Sequence, residues 1–164
     1  MIDLGRGQNR LGASIFAQVY SQVGQDTPNV DSAADLKAFF ATVQRLNAEQ
    51  RLVGYHDRSD GGVLTTLLEM AFAGRCGLEI DLDALKISAE QVNGALLNEE
   101  LGAVVQVLDT ELEAVQAAFT EAGLADCVAV LGRPVQGNAV SIKLAGHSVF
   151  SGERHLLQRI WTET

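Results

Sequence analysis

Residues 102–108 read GAVVQVL, a near-continuous β-branched run. A strand that is apolar on both faces needs cover on both faces, so this stretch is the central strand of a sheet with elements packed above and below. The rest of the chain supplies that cover. Leu11, Ile15, Val19 and Val23 recur every four residues and predict a helix that stops at Gly24. Ser32, with Asp35 three positions later, resembles a capping box for a helix burying Leu36, Phe39, Phe40, Val43 and Leu46. Residues 62–73 are apolar around most of a helical circumference, which predicts a sandwiched helix. GLEIDL alternates as a strand with one wet face. CVAVLGRPV, AVSIKLAG and HSVF read as strands, the last two joined as a hairpin at Ala145–Gly146. A helix capped by Asp109 or Thr110 and closed by Gly123, and a terminal helix carrying Leu156, Leu157, Ile160 and Trp161 and still running at the chain's end, complete the pattern. Interleaved strands and helices predict one layered α/β (α+β) domain with a mixed sheet over residues 1–164.

Twelve basic against 21 acidic residues give a net charge of −9, and the basic residues do not cluster, which disfavours nucleic-acid binding. No stretch approaches the ~18 apolar residues of a membrane span, and the N-terminus has no apolar signal core. Cys76 and Cys127 fit no metal or redox spacing, and reduced thiols suit a cytoplasmic protein. Met1 enters a strand directly and the last residues read as helix, so both ends look cut from something longer.

Chemistry concentrates in three places. GRGQNRLG (5–12) lies between a strand and a helix, but its glycine spacing is neither the dinucleotide fingerprint nor a P-loop, so a plain glycine turn is preferred over a phosphate role. YHDRSDGG (55–62) crowds charged and polar groups against a helix start. There Asp57 suits a hard Mg²⁺, and Ser59 with the Gly61–Gly62 amides suits a phosphate. The alternative is that Ser59 or Asp60 caps the helix while the other charges are solvated. NEELGAV places Glu99 and Glu100 before the central strand, where paired carboxylates are more often just solvated. His147, His155 and the two thiols have no recognisable partner, so no catalytic residue is assigned.

IDLGRGQNRLGAS, YHDRSDGGVLTTLLEMAFAGRCG, LLNEELGAVVQV and VFSGERHLLQRIW together resemble the large bacterial type of phosphoribosylformylglycinamidine synthase, over essentially the whole chain. The similar part is the C-terminal half-domain of its second synthetase unit, related to the C-terminal domain of aminoimidazole ribonucleotide synthetase. The resemblance implies three α/β/α layers around a mixed sheet. It implies a part of an ATP-dependent ligase of purine biosynthesis. That ligase converts formylglycinamide ribonucleotide, glutamine, ATP and water to formylglycinamidine ribonucleotide, glutamate, ADP and phosphate.

Residue by residue, it puts a Mg²⁺ ligand at Asp57 and an ATP/ADP contact at Ser59, at a nucleotide site that is structural in this unit. Partners would be the preceding nucleotide-binding half-domain and a glutaminase domain of the same chain. His56, Arg58, Asp60, Glu99 and Glu100 receive no role. The alternative reading is an assembly module with no ligand of its own, and a weaker one is a stand-alone small-molecule kinase of the same superfamily. Removed from its neighbours, such a domain is expected to self-associate.

Overall fold

The computed structural model describes residues 1–163; Thr164, expected at the end of the terminal helix, lies outside the described residues. In chain order the elements are β1 (Ile2–Asp3), α1 (Ile15–Val19), α2 (Ala33–Ala48), β2 (Gly54–Asp57), α3 (Gly62–Gly74), β3 (Gly77–Asp81), α4 (Val92–Leu97), β4 (Gly102–Gln106), α5 (Leu112–Glu121), β5 (Gly132–Val135), β6 (Ala139–Leu144), β7 (His147–Glu153) and α6 (Arg154–Glu163). No described helix is long and apolar enough to cross a membrane.

The run at 102–108 does form a central strand. β4 lies between β1 and β2 in a three-stranded antiparallel sheet. Ala103 joins the core made by α2 and α5, with Phe39, Val43, Val115 and Phe119. Val104, one residue on and on the opposite face, joins the core made by α3 and α4 with Val63, Leu67 and Leu96. That second core is closed by a four-stranded mixed sheet of order β5-β3-β6-β7, which contributes Leu78, Ile80, Val140 and Ile142. α3 is therefore packed from both sides, as its apolar circumference requires.

The layered α+β expectation holds, and the sheet divides into two. The stretch read as a strand from Cys127 explains the division. Val128 makes a single bridge to Ile2 in the first sheet, and Leu131 then accepts from the Asp81 N–H beside the second, so regular pairing begins only at Gly132.

The first helix is much shorter than its periodicity predicts. It ends at Val19; Ser21 turns left-handed at φ 54°, and Val19 and Val23 stay exposed. Backbone pairing competes with the helix here. Gly12 N–H donates to Asp26 O at 2.7 Å and Ala13 N–H to Val23 O at 2.6 Å, folding residues 23–26 back on the glycine loop. A Cβ on Gly24 would lie 2.8 Å from Gly12 Cα, so this approach needs glycine. The Ser32 cap forms as read, its hydroxyl accepting from Asp35 N–H at 3.1 Å. By contrast Asp109 and Thr110 lie within a short 3₁₀ turn that has no side-chain cap.

Candidate functional site at the start of α3

Asp57 is the last residue of β2, opposite Ala103, and its side chain is 71% exposed. Ser59 and Asp60 are exposed on the turn that follows. The Ser59 carbonyl accepts from Gly62 N–H at 2.9 Å and closes that turn. The alternative reading, a cap by Ser59 or Asp60, is not what the structure shows. Gly61, at φ 79°, holds the N-cap position with no side-chain bond of its own. Its N–H donates instead to Glu99 Oε1 at 3.0 Å, a carboxylate from a different part of the chain placed at the positive end of α3.

Gly62 follows at φ 68°, and a Cβ there would lie 2.6 Å from the carbonyl oxygens of Leu96 and Asn98. Gly62→Ala should therefore cost roughly 2–5 kcal/mol, combining a left-handed backbone with an overpacked contact. A urea melt that moves by less than about 1 kcal/mol would show that the turn can relax.

Behind the exposed segment lies a buried polar network. Arg58, between Asp57 and Ser59, points inward with its side chain 2% exposed. It donates to the Glu100 carbonyl at 2.5 Å, the Leu101 carbonyl at 3.1 Å and Asp3 Oδ1 at 2.6 Å. Glu100 is fully buried, which corrects the solvated reading. Its carboxylate accepts from Arg10 Nε at 2.6 Å, a second guanidinium nitrogen at 2.7 Å and the Arg10 backbone N–H at 3.1 Å. Asn98, also fully buried, donates to Asn9 Oδ1 at 3.0 Å. Asn98, Glu99 and Glu100 thus join the GRGQNRLG loop to the YHDRSDGG loop. The detectable signal was position: two carboxylates between apolar runs, in ALLNEELGAVV, have no polar face of their own to sit on.

The amides of the glycine loop are already paired. Gly5 and Gly7 donate to the Asp3 carboxylate at 3.1 and 2.8 Å, Gln8 to Gly5 O at 3.0 Å, Arg10 to Glu100 and Gly12 to Asp26 O. A phosphate cradle needs unengaged N–H groups, and these five are engaged.

His56 lies between Asp57 and Glu69. Its Nε2 is 2.8 Å from Glu69 Oε2 and its Nδ1 2.7 Å from the Asp57 carbonyl oxygen. Trp161 of α6 donates to the other Glu69 oxygen at 2.9 Å, linking the strand end to the terminal helix. His147 is exposed at the hairpin and His155 lies 4.0 Å from Glu153. Burial pushes the Cys127 thiol up to about 11, which makes it a poor nucleophile. No group of three or more His, Cys, Asp or Glu among the described residues is arranged to hold a metal.

On the outer edge of the network, the Arg10 guanidinium holds the Asp31 carboxyl below its ordinary value, and Arg6 does the same to Asp35. A carboxyl whose folded value is depressed contributes stability above its unfolded value, near 4, and that contribution is lost as pH falls through the folded value. The melting temperature should hold level from pH 7 to about 5 and fall below about pH 4. Replacing both aspartates with asparagine should flatten the fall, and added salt should weaken the effect because both pairs meet solvent.

The domain model for AIR synthase related proteins, C-terminal domain, matches residues 4–145. The chain belongs to that family. Among solved structures, PurLQS from Thermotoga maritima superposes with a TM-score of 0.68 at 17% identity, covering 89% of this chain and 24% of that one. T. maritima PurL complexed with ADP gives 0.67 at 18%, covering 79% and 23%. Hydrogenase maturation protein HypE in complex with ATP gives 0.60 at 19%, covering 88% and 48%. At these identities the likeness is one of fold. The chain of this AIR synthase C-terminal-type domain spans about a quarter of the PurL chains and about half of the HypE chain.

Proposed function

We propose that this domain is the C-terminal half-domain of a synthetase unit of phosphoribosylformylglycinamidine synthase, the ATP-dependent ligase of purine biosynthesis that takes ammonia from glutamine. In this reading it contributes one Mg²⁺ ligand, Asp57, and one nucleotide contact, Ser59. It also contributes a surface for the other domains of the synthase, in the cytoplasm. The observation that carries the reading is the contrast across the YHDRSDGG segment. Asp57 and Ser59 are exposed in front, while Arg58 between them is locked into buried structure behind.

Such a segment is rigid and open at once, the condition for a preformed ligand contact. Mg²⁺ is commonly held by one or two carboxylates plus phosphate oxygens and water, so a single exposed carboxylate fits a shared site. Family membership and likeness to PurL and HypE chains solved with nucleotides support the nucleotide part. When bound, Mg²⁺ would neutralise phosphate charge, and this chain's residues would bind and orient.

Calorimetric titration of the 164-residue chain with ADP, with and without Mg²⁺, tests the proposal. The expected result is Mg²⁺-dependent binding with no synthase activity, because in this reading most of the ATP site belongs to the preceding half-domain and the reacting groups are not brought together by this chain alone. Product formation from ATP and ammonia by the chain alone would overturn the division of labour.

The assembly-module alternative is favoured by one observation. Val19 at the end of α1, Tyr20 and Val23 just beyond it, and Leu156 and Ile160 on α6 are exposed apolar side chains. No nucleotide binding together with concentration-dependent self-association in light scattering would select it.

A further inference from the structure

The geometry points to Glu99 as a positioning residue for the nucleotide site, an inference that rests on the nucleotide reading of Asp57 and Ser59. One carboxylate oxygen, Oε1, accepts two backbone N–H groups: Gly61 at 3.0 Å, at the start of α3, and Ile15 at 2.9 Å, at the start of α1. Its own backbone is pinned on both sides. Asn98 donates to the Gly94 and Ala95 carbonyls of α4 at 2.8 and 3.2 Å, and Glu100 is clasped by Arg10. The turn it holds is pressed onto the same segment, since Gly62 packs against the Leu96 and Asn98 carbonyls.

Glu99 bonds to neither Asp57 nor Ser59. It fixes the Gly61 amide, and the Ser59–Gly62 bond passes that constraint to Ser59. Without the carboxylate, the turn keeps its closing bond and Arg58 stays held, but Gly61 loses its tie to α1 and the Ser59 end of the segment loosens.

Three variants separate positioning from simple folding. Glu99→Gln keeps a carbonyl oxygen able to accept both N–H groups, Glu99→Asp is one methylene too short to reach both, and Glu99→Ala removes the acceptor. Each is read by hydrogen exchange at the Gly61 and Ile15 amides and by calorimetric titration with Mg·ADP. Glu99→Ala and Glu99→Asp should speed exchange at both amides and raise the Mg·ADP Kd about tenfold or more, the loss expected for a charge-assisted hydrogen bond. Glu99→Gln should stay within about threefold of the parent chain on both readouts.

If Glu99→Ala does not fold, the Asp and Gln pair carries the comparison. A folded Ala or Asp variant that binds Mg·ADP like the parent overturns the positioning role and leaves the nucleotide reading intact. A parent chain that takes no Mg·ADP, either alone or joined to its preceding half-domain, overturns the nucleotide reading, and with it the site role of Glu99, even if the exchange data still show a held turn.

Discussion

Replacing Arg58 with methionine is expected to destabilise the chain by about 3–5 kcal/mol, the cost of removing one partner of a buried ion pair. Methionine fills much of the arginine volume, so the loss is not mainly a cavity. It leaves the Glu100 and Leu101 carbonyls without the donor they have now, and leaves Asp3, 14% exposed, without its cation. At roughly 2–4 °C per kcal/mol for a domain of this size, the melting temperature should fall by roughly 6–20 °C. Urea unfolding of Arg58→Met, Asp3→Asn and the double variant measures the effect and its coupling. A loss below about 1 kcal/mol would mean that water or a shifted backbone replaces the guanidinium, and that the network does not hold the loop.

Asp57→Asn should do the opposite: almost nothing to stability and a great deal to binding. The Asp57 carboxylate is mostly exposed, and its nearest ring nitrogen, His56 Nδ1, is 3.8 Å away, so the melting temperature should stay within the range of a neutral surface change, about ±0.5 kcal/mol. Removing the charge a hard cation requires should weaken Mg·ADP binding by at least about tenfold. Asp60→Ala is the matched control. With Gly61 in the cap position, it should change neither stability nor binding beyond the same small range. Unchanged Mg·ADP affinity in Asp57→Asn would sink the metal assignment. A destabilisation of several kcal/mol would make Asp57 structural.

The parts of this fold that periodicity decides were legible in the sequence. β4 between two cores, the wet and dry faces of β3, the enveloped α3 and the β6–β7 hairpin each follow from residues within one element. The turn at Ala145–Gly146 adopts φ 49° and 76°, the left-handed pair that a two-residue hairpin needs. Periodicity overextends α1 because the helix's continuation competes with backbone bonds to residues 23–26. The candidate site divides in the same way. The two glycines and exposed polar residues at 57–62 announced a close approach and an open contact. Glu100 did not announce its burial, because a carboxylate is buried only where a cation meets it, and Arg10 is 90 residues away. The alternative of a cap by Ser59 or Asp60 fails for a related reason, since the carboxylate at α3 comes from Glu99.

The ties that hold this site span most of the chain: Asn98 to Asn9, Glu100 to Arg10 and Glu99 to Ile15 close loops of 89, 90 and 84 residues. Long closures of this kind lose entropy before any contact offsets it, whereas the β6–β7 hairpin and the turns of α2 form from neighbours. The supporting contacts are therefore expected to form late in folding, after the local elements have nucleated, and φ-values near zero at Asn98 and Glu99 would check this. Asp3, which pairs with Arg58, precedes the YHDRSDGG segment in the chain, whereas Asn98, Glu99 and Glu100 follow it, so the segment is expected to gain its full set of ties only when both sides are in place.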